Sequence, residues 1–277
     1  MTIPAPLDKA ALGDHPLPPI VDGDKETKGR ILVVAGSREV PGAALLTATA
    51  AMRAGAGKLR IATDESIAVA IGIAMPEAAV TGLPKDPASI QAAASEADAV
   101  VAGPGMSNGD DCAMVADALL ASEARLALDA ALLHALRPRR LERSSLPVLL
   151  PHAGELASLL DCDEEQIERD PIGCGLRAAE RYRALILVKG VTSHVVTPDE
   201  KVWAYGGRAP GLGVSGSGDA LAGIVGGLLA RGAEPLNALL WAVWLHGEAG
   251  AALARKVGPV GFLARQIADE IPALLPR

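Results

Sequence analysis

From residue 31 onward, short apolar runs alternate with longer stretches of helical periodicity, and this alternation narrows the possible folds more than any other feature of the chain. Residues 31–35, 59–62, 99–102, 126–128, 148–150 and 185–188 read as buried strands. Helical patterns near 42–54, 110–121, 153–160 and 164–182 lie between them. Strands separated by helices need crossover connections, which predicts an α/β fold with a mostly parallel sheet covered on both faces. The pattern changes after Lys189. Residues 193–197 and 201–205, joined by Pro198-Asp199-Glu200, predict a small antiparallel hairpin at one edge of the sheet, and the remainder reads as helix.

The chain has 277 residues, half of them apolar but only 2% aromatic, so a large core must be built from small and branched aliphatic side chains. That composition suits helices packed closely on a parallel sheet. Residues 1–29 are rich in proline, aspartate and lysine and predict an irregular start with at most one short helix. With no fixed-period repeat and no Ser/Gly/Pro tract, residues 1–19 are expected to form a lead-in and 20–277 a single domain.

The formal charge of −7 argues against nonspecific nucleic-acid binding, which needs a positive groove. Arg137, Arg139, Arg140 and Arg143 form one basic run, readable as a solvated helix end or as a phosphate-contacting patch. Cys112, Cys162 and Cys174 show neither a CxxC spacing nor an even count, which supports neither a zinc site nor a disulfide framework. The N-terminus lacks the pattern of a secretory signal, and the longest apolar stretches are too short or too interrupted to span a bilayer. A soluble cytoplasmic protein without membrane or nucleic-acid partners is expected.

The densest chemical signal is the run Gly211-Leu-Gly-Val-Ser-Gly-Ser-Gly-Asp219, which leads directly into an apolar helical pattern. A glycine-rich turn feeding a helix aims bare N–H groups, here those of Gly216, Ser217 and Gly218, at one point where the helix dipole also favours negative charge. Asp219 would place a carboxylate beside that anion hole, within reach of a hydroxyl attacking phosphorus. The alternative is a helix start capped by Ser217 or Asp219, with glycines serving tight packing.

Other strand ends contribute loops to the same side of such a sheet, where open α/β folds bind ligands. The first strand runs through Gly36 into Pro41-Gly42-Ala43-Ala44, and another ends in Gly103-Pro104-Gly105. Pro151-His152-Ala153-Gly154-Glu155 puts an imidazole and a carboxylate at a helix opening, for substrate binding, acid–base work or a structural hydrogen bond. Lys189-Gly190-Val191-Thr192-Ser193 supplies a point charge suited to phosphate, or else a surface lysine at a strand end. Together these loops describe a cleft.

In this order and spacing the segments resemble the ADP/ATP-dependent NAD(P)H-hydrate dehydratases of the ribokinase-like superfamily. The resemblance runs from about residue 17 onward and includes Arg53-Ala-Gly-Ala-Gly57, Pro76-Glu77, Gly216-Ser217-Gly218-Asp219, Leu245-His246-Gly247 and Gly261. It implies a ribokinase-like three-layer sandwich and repair of hydrated NADH and NADPH. It further implies Asp219 as the catalytic acceptor of the ring-hydroxyl proton, with no need of an unusual pKa. The hydrate would be bound near Ala43, Gly105, His152 and Asp219, and ADP or ATP by residues 189–193 and Gly218. Mg²⁺ would accompany the nucleotide, with no protein ligand identifiable, and a homo-oligomer is expected. Departures from the family pattern are Val214 and Ser215 before the turn, Ala131 in place of a second aspartate after Asp129, Leu150 and Ala153 around His152, and Ser193 for threonine. Two other readings share the site: a kinase that releases a stable phosphoester, and a catalytically idle nucleotide binder.

Overall fold

The computed structural model describes residues 3–276, apart from 20, 21, 23, 24, 26, 110, 138–142 and 208. Ten strands form one sheet: β1 (Ala5–Pro6), β2 (Arg30–Val34), β3 (Lys58–Thr63), β4 (Ala78–Gly82), β5 (Ala99–Ala102), β6 (Arg125–Leu128), β7 (Val148–Leu149), β8 (Leu185–Val188), β9 (Thr192–Val196) and β10 (Val202–Gly206). Their spatial order is β1-β10-β9-β8-β7-β6-β5-β2-β3-β4. Strands β2 to β8 are mutually parallel, while β9 pairs antiparallel with both β8 and β10. The chain winds outward through β3 and β4 on one side of β2, then through β5 to β8 on the other, which makes the β2/β5 boundary the topological switch point.

The helices α1 (Gly42–Arg53), α9 (Ser217–Ala230), α10 (Pro235–Lys256) and α11 (Ala264–Leu274) pack together on one face of the sheet. They bury Ile31, Val33, Leu59, Ile61, Val101 and Leu187 beneath them. The opposite face carries α3 (Pro87–Ser95), α4 (Asp111–Leu120), α5 (Ala131–Ala135), α6 (Ala153–Leu160) and α8 (Pro171–Tyr182) over Leu32, Val34, Val100, Leu126, Leu128 and Ile186. Successive strand residues thus serve two different cores, the reason the central runs are apolar throughout. The small-residue composition is spent at the α1–α9 crossing. A Cβ on Gly223 or Gly227 would overlap the backbone oxygens of Thr47 and Ala51, and Gly226 lies on Ile31 and Val101. This glycine face is therefore interior.

Several elements depart from the sequence reading. The lead-in contributes β1, which pairs parallel with β10 and makes the antiparallel hairpin the second layer from the edge; Leu7 and Leu12 are buried beside it. The pattern at 164–182 is two helices, α7 (Glu164–Arg169) and α8. Pro171 has no N–H and drives Asp170 out of helical geometry, to φ −140° and ψ 69°, and the Asp170 carboxylate then accepts from Gly173 N–H at 2.8 Å. Strand β4 and helices α2 (Ala68–Ala74), α3 and α5 were not anticipated. Arg139 and Arg140 lie outside the described residues; Arg143 of the same run donates to the carbonyls of Leu120, Ser122 and Ala124 and so ties down the end of α4. Among the described residues no helix is long and apolar enough to cross a membrane.

At the switch point Gly36 N–H donates to Pro104 O at 2.8 Å, joining the loops after β2 and β5. Gly103 has φ +117°, and a Cβ there would collide with the Asp129 carbonyl. Gly103→Ala is expected to cost about 3 kcal/mol or more, because strain and a backbone clash coincide. Urea denaturation checks this, and a midpoint like that of the parent protein would show that the loop can yield.

Candidate active site

The loops after β2, β5, β6, β7 and β8 and the start of α9 gather at the carboxyl ends of the parallel strands. Helix α9 lies across β5, β6 and β2, which points its N-terminus at this edge. Gly216 is its N-cap, at φ 86° and ψ −5°, and contributes no side-chain cap. The Ser217 N–H donates to Val214 O at 3.1 Å, whereas the N–H groups of Gly216, Gly218 and Asp219 have no backbone acceptor among the described residues. The open amides are therefore a shifted set. Ser217 faces the cleft through its hydroxyl, and the Asp219 amide takes the place expected of the Ser217 amide.

The cleft has a volume of about 900 Å³ and its polar wall includes Lys189, Gly190, Ser193, Ser217, Gly218 and His152. Its far end is apolar, with Leu212, Val214, Leu221 and Val243. Tyr205 stands there with its ring against Gly247 and its hydroxyl donating to Glu248 Oε1 at 3.1 Å. Burial and then the Glu248 charge raise the phenol pKa, so Tyr205 stays a neutral donor.

Lys189 is the electrostatic centre. Its ammonium lies 2.7 Å from Asp129 Oδ1 and 3.7 Å from Glu155 Oε2, and both carboxylates are nearly inaccessible. Burial works against the charge on Lys189, but Asp129, Glu155 and Asp219 more than offset it and raise its pKa. Burial raises the pKa of Asp129, with Lys189 opposing, and raises that of Asp219 in the same way. A proton is therefore held more tightly on Lys189, Asp129 and Asp219 than in water. The mechanism implied by the sequence does not require an unusual Asp219, yet burial raises its pKa all the same.

Asp129 ends β6 and accepts from the Ala130 N–H at 2.9 Å. Ala130 itself has φ 48°, ψ −124°, an uncommon conformation for alanine, next to the buried carboxylate. His152 begins α6 in a reciprocal cap. Its Nδ1 accepts from Gly154 N–H at 3.0 Å and Glu155 N–H at 3.3 Å, while Glu155 Oε2 accepts from His152 N–H at 2.8 Å. With Nδ1 used as an acceptor, the His152 proton sits on Nε2, 3.3 Å from Glu155 Oε1. His152, Glu155, Lys189 and Asp129 thus form one connected chain, of which His152 and Lys189 line the cleft and the two carboxylates are buried behind it.

Ala43 and Gly105 touch each other at the switch point, since a Cβ on Gly105 would overlap that of Ala43. Neither they nor Gly216, Asp219 and Thr192 line the large cleft. Leu46, one turn beyond Ala43, packs on Gly216, next to the cleft residues Ser217 and Gly218. Asp219 stands beside Gly216, and Lys189, a cleft residue, beside Gly218. Val191 is almost fully exposed on the cleft rim. Sequence reasoning missed Asp129 and Glu155 as partners of Lys189, and His246, whose Nε2 lies 3.0 Å from Ser217 Oγ. The signals that existed were the acid ending a buried strand and the acid three residues after the His152 cap.

Among the described residues there is no group of three or more His, Cys, Asp or Glu side chains placed to hold a metal ion.

Residues 31–273 match the family model described as NAD(P)H-hydrate dehydratase. An ADP-dependent (S)-NAD(P)H-hydrate dehydratase of Xanthomonas campestris pv. campestris is 46% identical over 97% of this chain and 95% of its own. The crystal structure of the ADP/ATP-dependent NAD(P)H-hydrate dehydratase from Bacillus subtilis, co-crystallised with ATP and Mg²⁺, superimposes with a TM-score of 0.87 at 28% identity, covering 99% of this chain and 98% of that one. Hydroxyethylthiazole kinase from Pyrococcus horikoshii shares the fold alone, at a TM-score of 0.62 and 17% identity over 90% of this chain and 89% of its own. With its ribokinase-like sheet and its glycine turn at the switch-point edge, the chain belongs to the NAD(P)H-hydrate dehydratase family.

Proposed function

We propose that this protein is a hydro-lyase that uses ADP or ATP to dehydrate NAD(P)H hydrate, returning the reduced cofactor to use. The observation that carries this reading is the α9 N-terminus, where open amides, the Lys189 ammonium and the Asp219 carboxylate converge beside the cleft. Phosphoryl transfer needs alignment and charge neutralisation more than covalent help from the protein, and these groups supply both.

The cleft takes the nucleotide. Lys189, Gly190, Val191, Ser193 and Gly218 line it for the phosphates, with Thr192 beside them, and its apolar side chains Leu212, Val214, Leu221 and Val243 fit a flat base. The hydrate lies toward the switch point, near Ala43 and Gly105, which pack on each other there, with His152 at the border. Asp219 accepts the ring-hydroxyl proton as the oxygen attacks the terminal phosphorus. The N–H groups of Gly216, Gly218 and Asp219 stabilise charge on the transferred group. The bond from that phosphorus to the nucleotide breaks as AMP leaves from ADP, or ADP from ATP. The C–O bond then breaks with its electron pair going to phosphate, the neighbouring ring carbon gives its proton to water, and the C–H electron pair forms the restored ring double bond. Bound with the nucleotide, Mg²⁺ would neutralise phosphate charge, and the excess of carboxylates over ammonium around Lys189 fits that cation. Residues 20–277 act as one ribokinase-like unit in this reading.

Incubation of the protein with enzymatically hydrated NADH, Mg²⁺ and either nucleotide is expected to restore dihydropyridine absorbance and release inorganic phosphate in equal amounts. Accumulation of a stable phosphoester would assign a kinase instead, and nucleotide binding without turnover an idle binder.

A further inference from the structure

His246 projects from α10 onto Ser217, the first residue of α9. Its Nε2 lies 3.0 Å from Ser217 Oγ and also 3.1 Å from the Ser217 carbonyl oxygen. A carbonyl oxygen can only accept, so a nitrogen at that distance must carry the proton; a bare nitrogen would set two lone pairs against each other. With the proton on Nε2, the imidazole donates to both oxygens of Ser217, and the serine Oγ is engaged as an acceptor. The Ser217 hydroxyl proton is then left over, with no protein acceptor among the described residues, and Ser217 is part of the cleft wall.

We infer that His246 is a positioning residue which, as the neutral Nε2–H tautomer, turns the Ser217 hydroxyl proton into the cleft as a donor to the phosphate oxygens of the nucleotide. The inference rests on the phosphoryl-transfer reading of the same site. Burial holds the His246 pKa down to about 4, aided by the nearby Lys189 charge, so the ring is neutral throughout the working pH range. Neutrality matters to the geometry, because an imidazolium would bring a second fixed donor and a positive charge beside the ammonium. The hydroxyl adds a donor that the helix backbone lacks at this position, since the Ser217 amide is already spent on Val214 O.

Two measurements test this. In ¹⁵N NMR of the labelled wild-type protein, His246 is expected to show a protonated Nε2 and a bare Nδ1; a bare Nε2 would mean that Ser217 donates to the ring, and would overturn the inference. In kinetics with hydrated NADH and ATP, His246→Phe and Ser217→Ala are each expected to lower kcat by roughly 10- to 100-fold. The double variant should be no slower than Ser217→Ala, and His246→Gln, which can keep an N–H donor there, should recover part of the loss. Losses that simply multiply in the double variant would reduce His246 to a packing residue. Failure of the wild type to dehydrate any hydrate would count against the function of the site, whereas the tautomer is read from the NMR spectrum independently.

Discussion

Asp219→Asn is expected to bind ADP and ATP as the parent protein does while turning over hydrated NADH roughly 10³-fold more slowly. Asparagine keeps the shape and one acceptor oxygen of the side chain but cannot take up the proton of the attacking hydroxyl. The environment makes that proton uptake effective. Burial raises the Asp219 pKa, Lys189 pulls it back, and the carboxylate is left a stronger base than one in water. In the proposed site the amides and Lys189 hold the ground-state phosphates, and the substitution leaves both in place, so affinity and turnover should separate. Calorimetry for nucleotide binding and single-turnover assays for phosphate release make the comparison. Undiminished turnover in the variant would remove Asp219 from the chemistry, and equal loss of binding and turnover would make it a structural residue of the turn.

The parts legible in the sequence were those whose signal is local. Central strands such as β5 and β8 are buried on both faces, so they stand out as unbroken apolar runs. The glycine turn before α9 and Lys189 at the end of β8 announce themselves by composition at a strand end or helix start. Elements that failed to announce themselves depend on partners far along the chain. Strand β1 is two residues long and exists only because Ala5 and Pro6 lie beside Trp203 and Ala204 of β10. Strand β4 alternates between partly and fully exposed residues at the far edge, and so lacks the apolar signature of its neighbours. The site followed the same rule. Asp129 and Lys189 are 60 positions apart, and nothing short of the sheet order β8-β7-β6 tells that two strand ends meet across the intervening one. His246 comes from α10 and meets Ser217 across 29 positions of sequence. The departures at Ala131 and Val214 can now be placed. Ala131 is buried in α5, while Asp129, the acid that is retained, holds Lys189; Val214 contributes to the apolar wall of the cleft and its carbonyl accepts the Ser217 amide.

The same ion cluster makes Lys189 the residue whose loss should be felt most in stability. Lys189→Met keeps much of the volume but strands Asp129 and Glu155, which are only 4% and 5% exposed at the side chain, without their shared cation. Breaking a buried pair from one side costs about 3–5 kcal/mol, because the remaining charge keeps its desolvation penalty and loses its compensation. The sign of the pH dependence follows from Asp129. Its pKa is already raised by burial even with Lys189 opposing, and removing the ammonium raises it further. A carboxyl that binds its proton more tightly when folded than when unfolded makes the folded state gain stability as pH falls through the raised value. The variant should therefore lie closest to the parent protein near about pH 5 and furthest from it near about pH 8. Adding Asp129→Asn to Lys189→Met should recover part of the loss at the higher pH, since the stranded charge is gone, while nucleotide affinity stays weak for want of the ammonium. Denaturant midpoints at the two pH values decide the matter. A pH-independent deficit, or a double variant less stable than Lys189→Met, would mean that the cluster is held by packing and not by its charges.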